Sequence, residues 1–138
     1  MTKIIDGISH VDADELDAIL KDPAKSGVYV IDVREPEEYE DRHIPGIPLI
    51  PMGDIPELID RFDKDAEYVF VCRSGKRSLE VAKFFLGKGI PAVHNFLGGM
   101  LAWDKETVRG LEQIQGHETV HDSFKAFSMN QLERGRTR

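Results

Sequence analysis

The sequence predicts a three-layer α/β domain, and three observations carry that prediction. Two runs, Val28-Tyr29-Val30-Ile31 and Tyr68-Val69-Phe70-Val71, are continuously apolar and rich in β-branched and aromatic residues. Such runs suit strands buried on both faces, as in a parallel sheet. Segments with apolar residues at helical spacing alternate with them, which is the pattern of helices packed on such a sheet. The length, 138 residues, suits a single core.

The elements follow in order. Residues 4–8 are apolar enough to begin a sheet. Asp12 reads as a helix N-cap, with Glu15 three residues on as its capping-box partner. Leu16, Ile19 and Leu20 form the apolar stripe of that helix, and Pro23 ends it. After the strand at 28–31 and Asp32, Pro36 opens a short acidic helix over 37–41. Ile50 sits on a short strand between Pro48 and Pro51. Asp54 caps a helix with Pro56 in its first turn and Leu58, Ile59 and Phe62 on its apolar face. The strand at 68–71 runs into a polar loop at 72–78. The next helix buries Val81, Ala82, Phe84, Phe85 and Leu86, and Gly87 and Gly89 end it. Residues 91–95 read as a last strand. Gly98-Gly99 leads into a short helix holding Trp103. Around residues 107–116 the pattern weakens, and the division is a domain over 1–110 and an extension over 111–138. Val120, Phe124 and Phe127 give that extension one amphipathic helix, which would dock on the domain or on a second copy as a homodimer. Its basic end is expected to fray.

Composition excludes several classes. Apolar residues make up 41% and charged residues 31%, as in a folded soluble chain. The net charge of -7 argues against nucleic-acid binding, which needs basic surface. No stretch approaches the roughly 20 apolar residues of a membrane helix. The N-terminal residues carry acidic groups at once and lack the apolar run of a secretory signal. The single cysteine cannot form an intramolecular disulfide, and a reducing cytoplasm is the expected location.

That cysteine, Cys72, lies where a buried strand stops and a helix is about to start. In open α/β sheets ligands bind outside the carboxyl ends of strands. A tight loop there turns backbone N–H groups inward as an anion nest, and the following helix adds its positive end. Arg73, Lys76 and Arg77 put three cations within five residues of the sulfur in an otherwise acidic chain. Such surroundings favour the thiolate, which is the nucleophile. Gly75 permits a curled backbone, and Ser74 and Ser78 offer hydroxyl donors. Free cysteines are often simply buried. The strand–Cys–polar-loop–helix context sets that bland reading aside.

Four separated segments resemble the rhodanese family of sulfurtransferases in its single-domain form. They are Asp32-Val-Arg-Glu-Pro-Glu-Glu-Tyr39, His43-Ile-Pro-Gly46 followed by Ile50-Pro51, Cys72 to Ser78, and Leu97-Gly-Gly-Met-Leu-Ala-Trp103. The resemblance covers about residues 10–105. It implies a five-stranded, mainly parallel sheet flanked by helices. It implies that Cys72 accepts sulfane sulfur from a small anionic donor such as thiosulfate and passes it to cyanide, a thiol or an acceptor protein. The backbone N–H groups from Arg73 to Arg77 would cradle the persulfide, and no cofactor would be needed. Two positions depart from the family pattern: Arg42 stands where glycine usually precedes the histidine, and Ile47 where a small residue is common.

Asp32 and Arg34 are supporting candidates. Asp32 is placed to orient the loop or balance its cations, and Arg34 to pair with Glu35 or Glu38. His43 is expected to hold a turn by hydrogen bonding, and Tyr39 and Trp103 to pack. His117-Glu-Thr-Val-His121 fits the H-E-x-x-H zinc pattern. A catalytic zinc takes a third protein ligand, and Glu133 is the only acidic residue after Asp122, so no metal is expected. Two rival functions stay open: a phosphatase or arsenate-reductase-like enzyme at the same loop, and a non-catalytic module on the same fold. Four residues separate Cys72 from Arg77, whereas cysteine phosphatases place five there. The shorter ring suits one sulfur atom better than a tetrahedral oxyanion.

Overall fold

A computed structural model describes residues 3–22 and 26–111. Among them, one five-stranded sheet is built from β1 (Lys3–Ile5), β2 (Ile8–Val11), β3 (Val28–Asp32), β4 (Glu67–Val71) and β5 (Val93–Phe96), in the spatial order β1-β2-β5-β4-β3. The β2–β5, β5–β4 and β4–β3 pairs are parallel, and only β1–β2 is antiparallel. Helices α1 (Ala13–Lys21), α2 (Pro36–Asp41), α3 (Ile55–Leu58), α4 (Lys76–Gly87) and α5 (Gly99–Ala102) connect and cover the strands. Among the described residues no helix is long and apolar enough to cross a membrane. The expected tail helix and the His117/His121 pattern lie outside the described residues.

The first apolar segment is two strands, not one. Asp6 and Gly7 both adopt positive φ, at 55° and 79°, and fold Lys3–Ile5 back onto Ile8–Val11. An Asp-Gly pair is the usual signal for such a two-residue hairpin. Helix α1 forms as its capping box dictates: the Glu15 N–H donates to Asp12 Oδ1 at 2.8 Å, and the Asp12 N–H to Glu15 Oε1 at 3.0 Å. Ile50 joins no full strand, although Asp32 and Leu49 form an isolated parallel bridge. The predicted helix after Asp54 is broken into 3-10 turns, Met52–Asp54 and Ile59–Arg61, on either side of α3.

Side-chain alternation divides the core into two. One sheet face carries Tyr29, Ile31, Tyr68, Phe70 and Cys72, packed under Val81, Ala82 and Phe85 of α4 and under Ile55, Ile59 and Phe62. The Phe85 ring meets Phe70 and Phe62 edge-on at 4.6 and 4.8 Å. The other face carries Val28, Val30, Val69, Val71 and Phe96, packed against Leu16, Ile44, Ile47 and Met100. Leu86 was expected in the core but is 42% exposed, because the buried stripe of α4 runs Ser78, Val81, Ala82, Phe85 and leaves Leu86 a turn-fraction away. Trp103 lies just beyond α5 and packs edge-on against Phe96 at 5.9 Å.

The two unusual positions have plain roles. Ile47 is fully buried in the second core. Arg42 is extended (φ −169°), so it needs no glycine. Its carbonyl accepts from Arg34 Nη2 at 2.7 Å. Tyr39 is buried, donates to the Ile47 carbonyl at 2.6 Å and stacks on His43 at 3.7 Å between centroids. His43 meets the Tyr39 carbonyl through Nδ1 at 2.9 Å and bridges to Val108 through its backbone. These contacts fix the turn after α2.

Candidate active site

Strand β4 ends at Val71, and Cys72 follows at the carboxyl edge of the parallel sheet, fully buried. Helix α4 already begins at Lys76, so the loop is only residues 72–75, and Lys76, Arg77 and Ser78 belong to the helix. The Cys72 Sγ accepts from the Gly75 N–H at 3.1 Å and faces Ser78 Oγ at 3.2 Å. The N–H groups of a helix's first turn lack intrahelical acceptors and carry partial positive charge. The sulfur therefore sits where negative charge is stabilised.

The loop is held tightly. Gly75 has φ +95°, and a Cβ there would crowd the Gly98 nitrogen at 3.2 Å and the Phe96 carbonyl at 3.3 Å. From outside, α5 clamps the loop: the Met100 N–H donates to the Cys72 carbonyl at 2.8 Å, and the Leu101 N–H to the Arg73 carbonyl at 3.0 Å. Gly99 allows this approach, since a Cβ there would overlap the Cys72 carbonyl oxygen and lie 2.6 Å from that of Arg73. The Gly98-Gly99 pair thus serves the site as well as the helix start.

The three cations divide into two kinds. Arg73 and Lys76 are exposed, as is Ser74, and neither cation has an ion-pair partner among the described residues. Arg77 instead makes a bidentate pair with Glu38 of α2, at 2.8 and 2.9 Å. That guanidinium holds the Glu38 carboxyl down to about 2. In turn the Glu38 hydrogen bond raises Arg77, and the charge of Cys72 adds to this, so Arg77 also feels the sulfur.

Asp32 and Arg34 take other roles than those expected. Asp32 follows Val30 by two residues and points to the sheet face opposite Cys72, so it does not reach the loop's cations. It is fully buried and binds Arg34, whose Nε and Nη2 donate to its carboxylate at 2.9–3.1 Å. Burial pushes the Asp32 carboxyl up, against the pull of Arg34. Arg34 therefore pairs with Asp32 rather than with Glu35 or Glu38, because the i, i+2 spacing at a strand end brings its side chain back over the carboxylate. Together they tie the end of β3 to the turn at Arg42.

Three site residues escape a reading of the loop motif: Glu38, Asn95 and His10. Asn95 of β5 is buried and accepts from Ser78 Oγ through Oδ1; its Nδ2 donates to the Gly75 carbonyl at 3.0 Å. His10 of β2, opposite Asn95 in the parallel register, places Nδ1 3.3 Å from the same Nδ2. The available signal for both was a polar residue within an otherwise buried strand.

The family comparison agrees with this geometry. A model of the rhodanese-like domain matches residues 12–106. A Bacillus subtilis protein named as a sulfurtransferase, YtwF, is 51% identical over 84 residues, covering 61% of this chain and 81% of its own. A protein named sulfurtransferase from Allochromatium vinosum is 32% identical over 96 residues, covering 70% of this chain and 88% of its own. Among solved structures, a rhodanese-like domain protein from Staphylococcus aureus superposes with a TM-score of 0.63 at 37% identity, over 78% of this chain and 98% of that one. With the four motifs, the parallel sheet and the cysteine loop all in register, the chain belongs to the rhodanese-like domain family.

Proposed function

We propose that the protein is a sulfurtransferase that carries sulfane sulfur on Cys72. The observation that carries this reading is the placement of Sγ: it lies at a strand end, receives the Gly75 N–H at 3.1 Å, and stands at the start of a twelve-residue helix. The Cys72 thiolate attacks the outer sulfur of thiosulfate. A new S–S bond forms, the donor's S–S bond breaks, and sulfite leaves with the electron pair. A thiol or cyanide then attacks the outer sulfur of Cys72-S-S⁻, and the Cys72 thiolate departs. Each half is a single displacement, so ping-pong kinetics follow. Exposed Arg73 and Lys76 attract the anionic donor, and the buried sulfur limits attack to small or extended reagents.

The phosphatase alternative finds less support. Its arginine would have to grip an oxyanion, whereas Arg77 is already engaged by both carboxylate oxygens of Glu38.

Intact mass after incubation with thiosulfate tests the proposal. A gain of about 32 Da, lost on addition of cyanide or a thiol, is the expected result. The Cys72→Ser variant should fold and show no gain. Sulfur loading or turnover of thiosulfate by that variant would remove Cys72 from the mechanism, and an unmodified wild-type mass would overturn the sulfur-carrier reading.

A further inference from the structure

Behind Cys72 runs a buried polar chain: Ser78 of α4, Asn95 of β5 and His10 of β2. All three are at most 3% exposed. Its hydrogen-bond directions follow from one atom. The Gly75 carbonyl only accepts, so the Asn95 group facing it at 3.0 Å is the amide NH₂. The other end of that side chain, Oδ1, then faces Ser78 and only accepts. The hydroxyl of Ser78 has a single proton. While Oδ1 takes it, Ser78 offers lone pairs to the sulfur 3.2 Å away, and the Cys72 thiol proton is the matching donor. For Ser78 to donate to a thiolate, its proton must swing from Asn95 to Sγ.

We propose that Asn95, held by His10, is a positioning residue that competes with Cys72 for the Ser78 proton and so sets the ionisation and reactivity of the sulfur. This deepens the sulfur-transfer reading and rests on Cys72 being the reacting thiol. The second NH of Asn95 goes to His10 Nδ1, which places the ring proton on Nε2. That Nε2 is buried and meets no hydrogen-bond partner among the described residues. An unpaired buried donor lowers stability, and a leucine would fill the position without that cost. Fixing Asn95 gives the histidine a purpose that packing does not. Other groups acting on the sulfur are Arg73, Lys76 and Arg77, with Glu38 behind Arg77. The hydrophobic cluster that holds Cys72 also contains the apolar Val33, Ile55 and Val81. None of these changes in the variants below.

The test is the pH profile of Cys72 alkylation by iodoacetamide, followed by intact mass on the folded, unmodified protein. This readout needs no sulfur donor, so its failure is distinct from failure of the thiosulfate experiment. Asn95→Leu frees the Ser78 proton for sulfur and should lower the alkylation midpoint by about one pH unit, the worth of one neutral hydrogen bond. Asn95→Asp keeps the acceptor, adds negative charge and should raise it. Ser78→Ala should raise it too, and adding Asn95→Leu to Ser78→Ala should change nothing further. A purely structural role for Asn95 would shift both Asn95 variants in one direction. Should Asn95→Leu fail to fold, His10→Leu serves: it should lower the midpoint by a smaller amount with thermal stability equal or higher. An unchanged midpoint in the folded Asn95→Leu or His10→Leu protein would overturn the proposal. So would an equal Asn95→Leu shift with Ser78 absent.

Discussion

At the scale of single residues, the site is shaped by what lies close to Cys72. Gly99 is decisive because two loop carbonyls occupy the space a side chain would need. Gly99→Ala should therefore cost about 1–3 kcal/mol or displace the loop. Urea denaturation and sulfur loading would both register it, and a variant equal to wild type in both would show that the loop has slack. Glu38 gives a pH signature. Its folded carboxyl lies near 2, below the ordinary 4.5, so its pairing with Arg77 stabilises the fold above about 4.5. That contribution fades as pH falls towards 2. Glu38→Gln should lower stability near neutrality by about 1 kcal/mol or less, since the pair is partly exposed. The gap to wild type should close on acidification. Denaturation curves across that window check this, and a gap independent of pH would exclude the ion pair as its source.

Among the elements, the strand-to-helix junction does most for chemistry. Strand β4 delivers Cys72, α4 supplies the positive end, and α5 holds the loop from above. The cations belong to different elements in effect: Arg77 ties α4 to α2, while Arg73 and Lys76 face solvent. Replacing Arg73 and Lys76 by alanine should lower thiosulfate kcat/KM, by roughly tenfold for each at most, near 1.4 kcal/mol. Added salt should diminish the difference. Arg77→Ala should instead loosen α2 and lower stability. Equal kcat/KM in the folded double variant would remove exposed charge from donor recruitment. The Asp6-Gly7 pair is a hairpin signal present in the sequence, but the apolar segment around it reads as one strand. The span of α4 is harder to see: its first three residues, Lys76, Arg77 and Ser78, are polar, and only the anchored glycine before them marks the start.

For the whole molecule, the described residues 3–22 and 26–111 hold both cores and every residue assigned to the site. A chain ending at Leu111 should therefore still take up one sulfur on Cys72. Mass measurement with thiosulfate decides it: a folded, truncated chain that stays unmodified would assign part of the chemistry to the residues beyond. The sequence by itself determined the alternating α/β order, the α1 capping box, the buried strands and the placing of a cationic polar loop directly after Cys72. Each of these follows from neighbours within a turn or a strand. Only the tertiary structure decided what each charged or polar side chain faces. Arg77 meets Glu38 across 39 positions, Ser78 meets Asn95 across 17, and Asn95 meets His10 across 85. It also turned Asp32 away from the loop, because alternation along β3 sends it to the opposite face. Such pairings depend on strand order and register, which hydrophobic pattern alone leaves open, and it is through them that the fold converts a cationic loop into a particular arrangement of protons and charges around one sulfur atom.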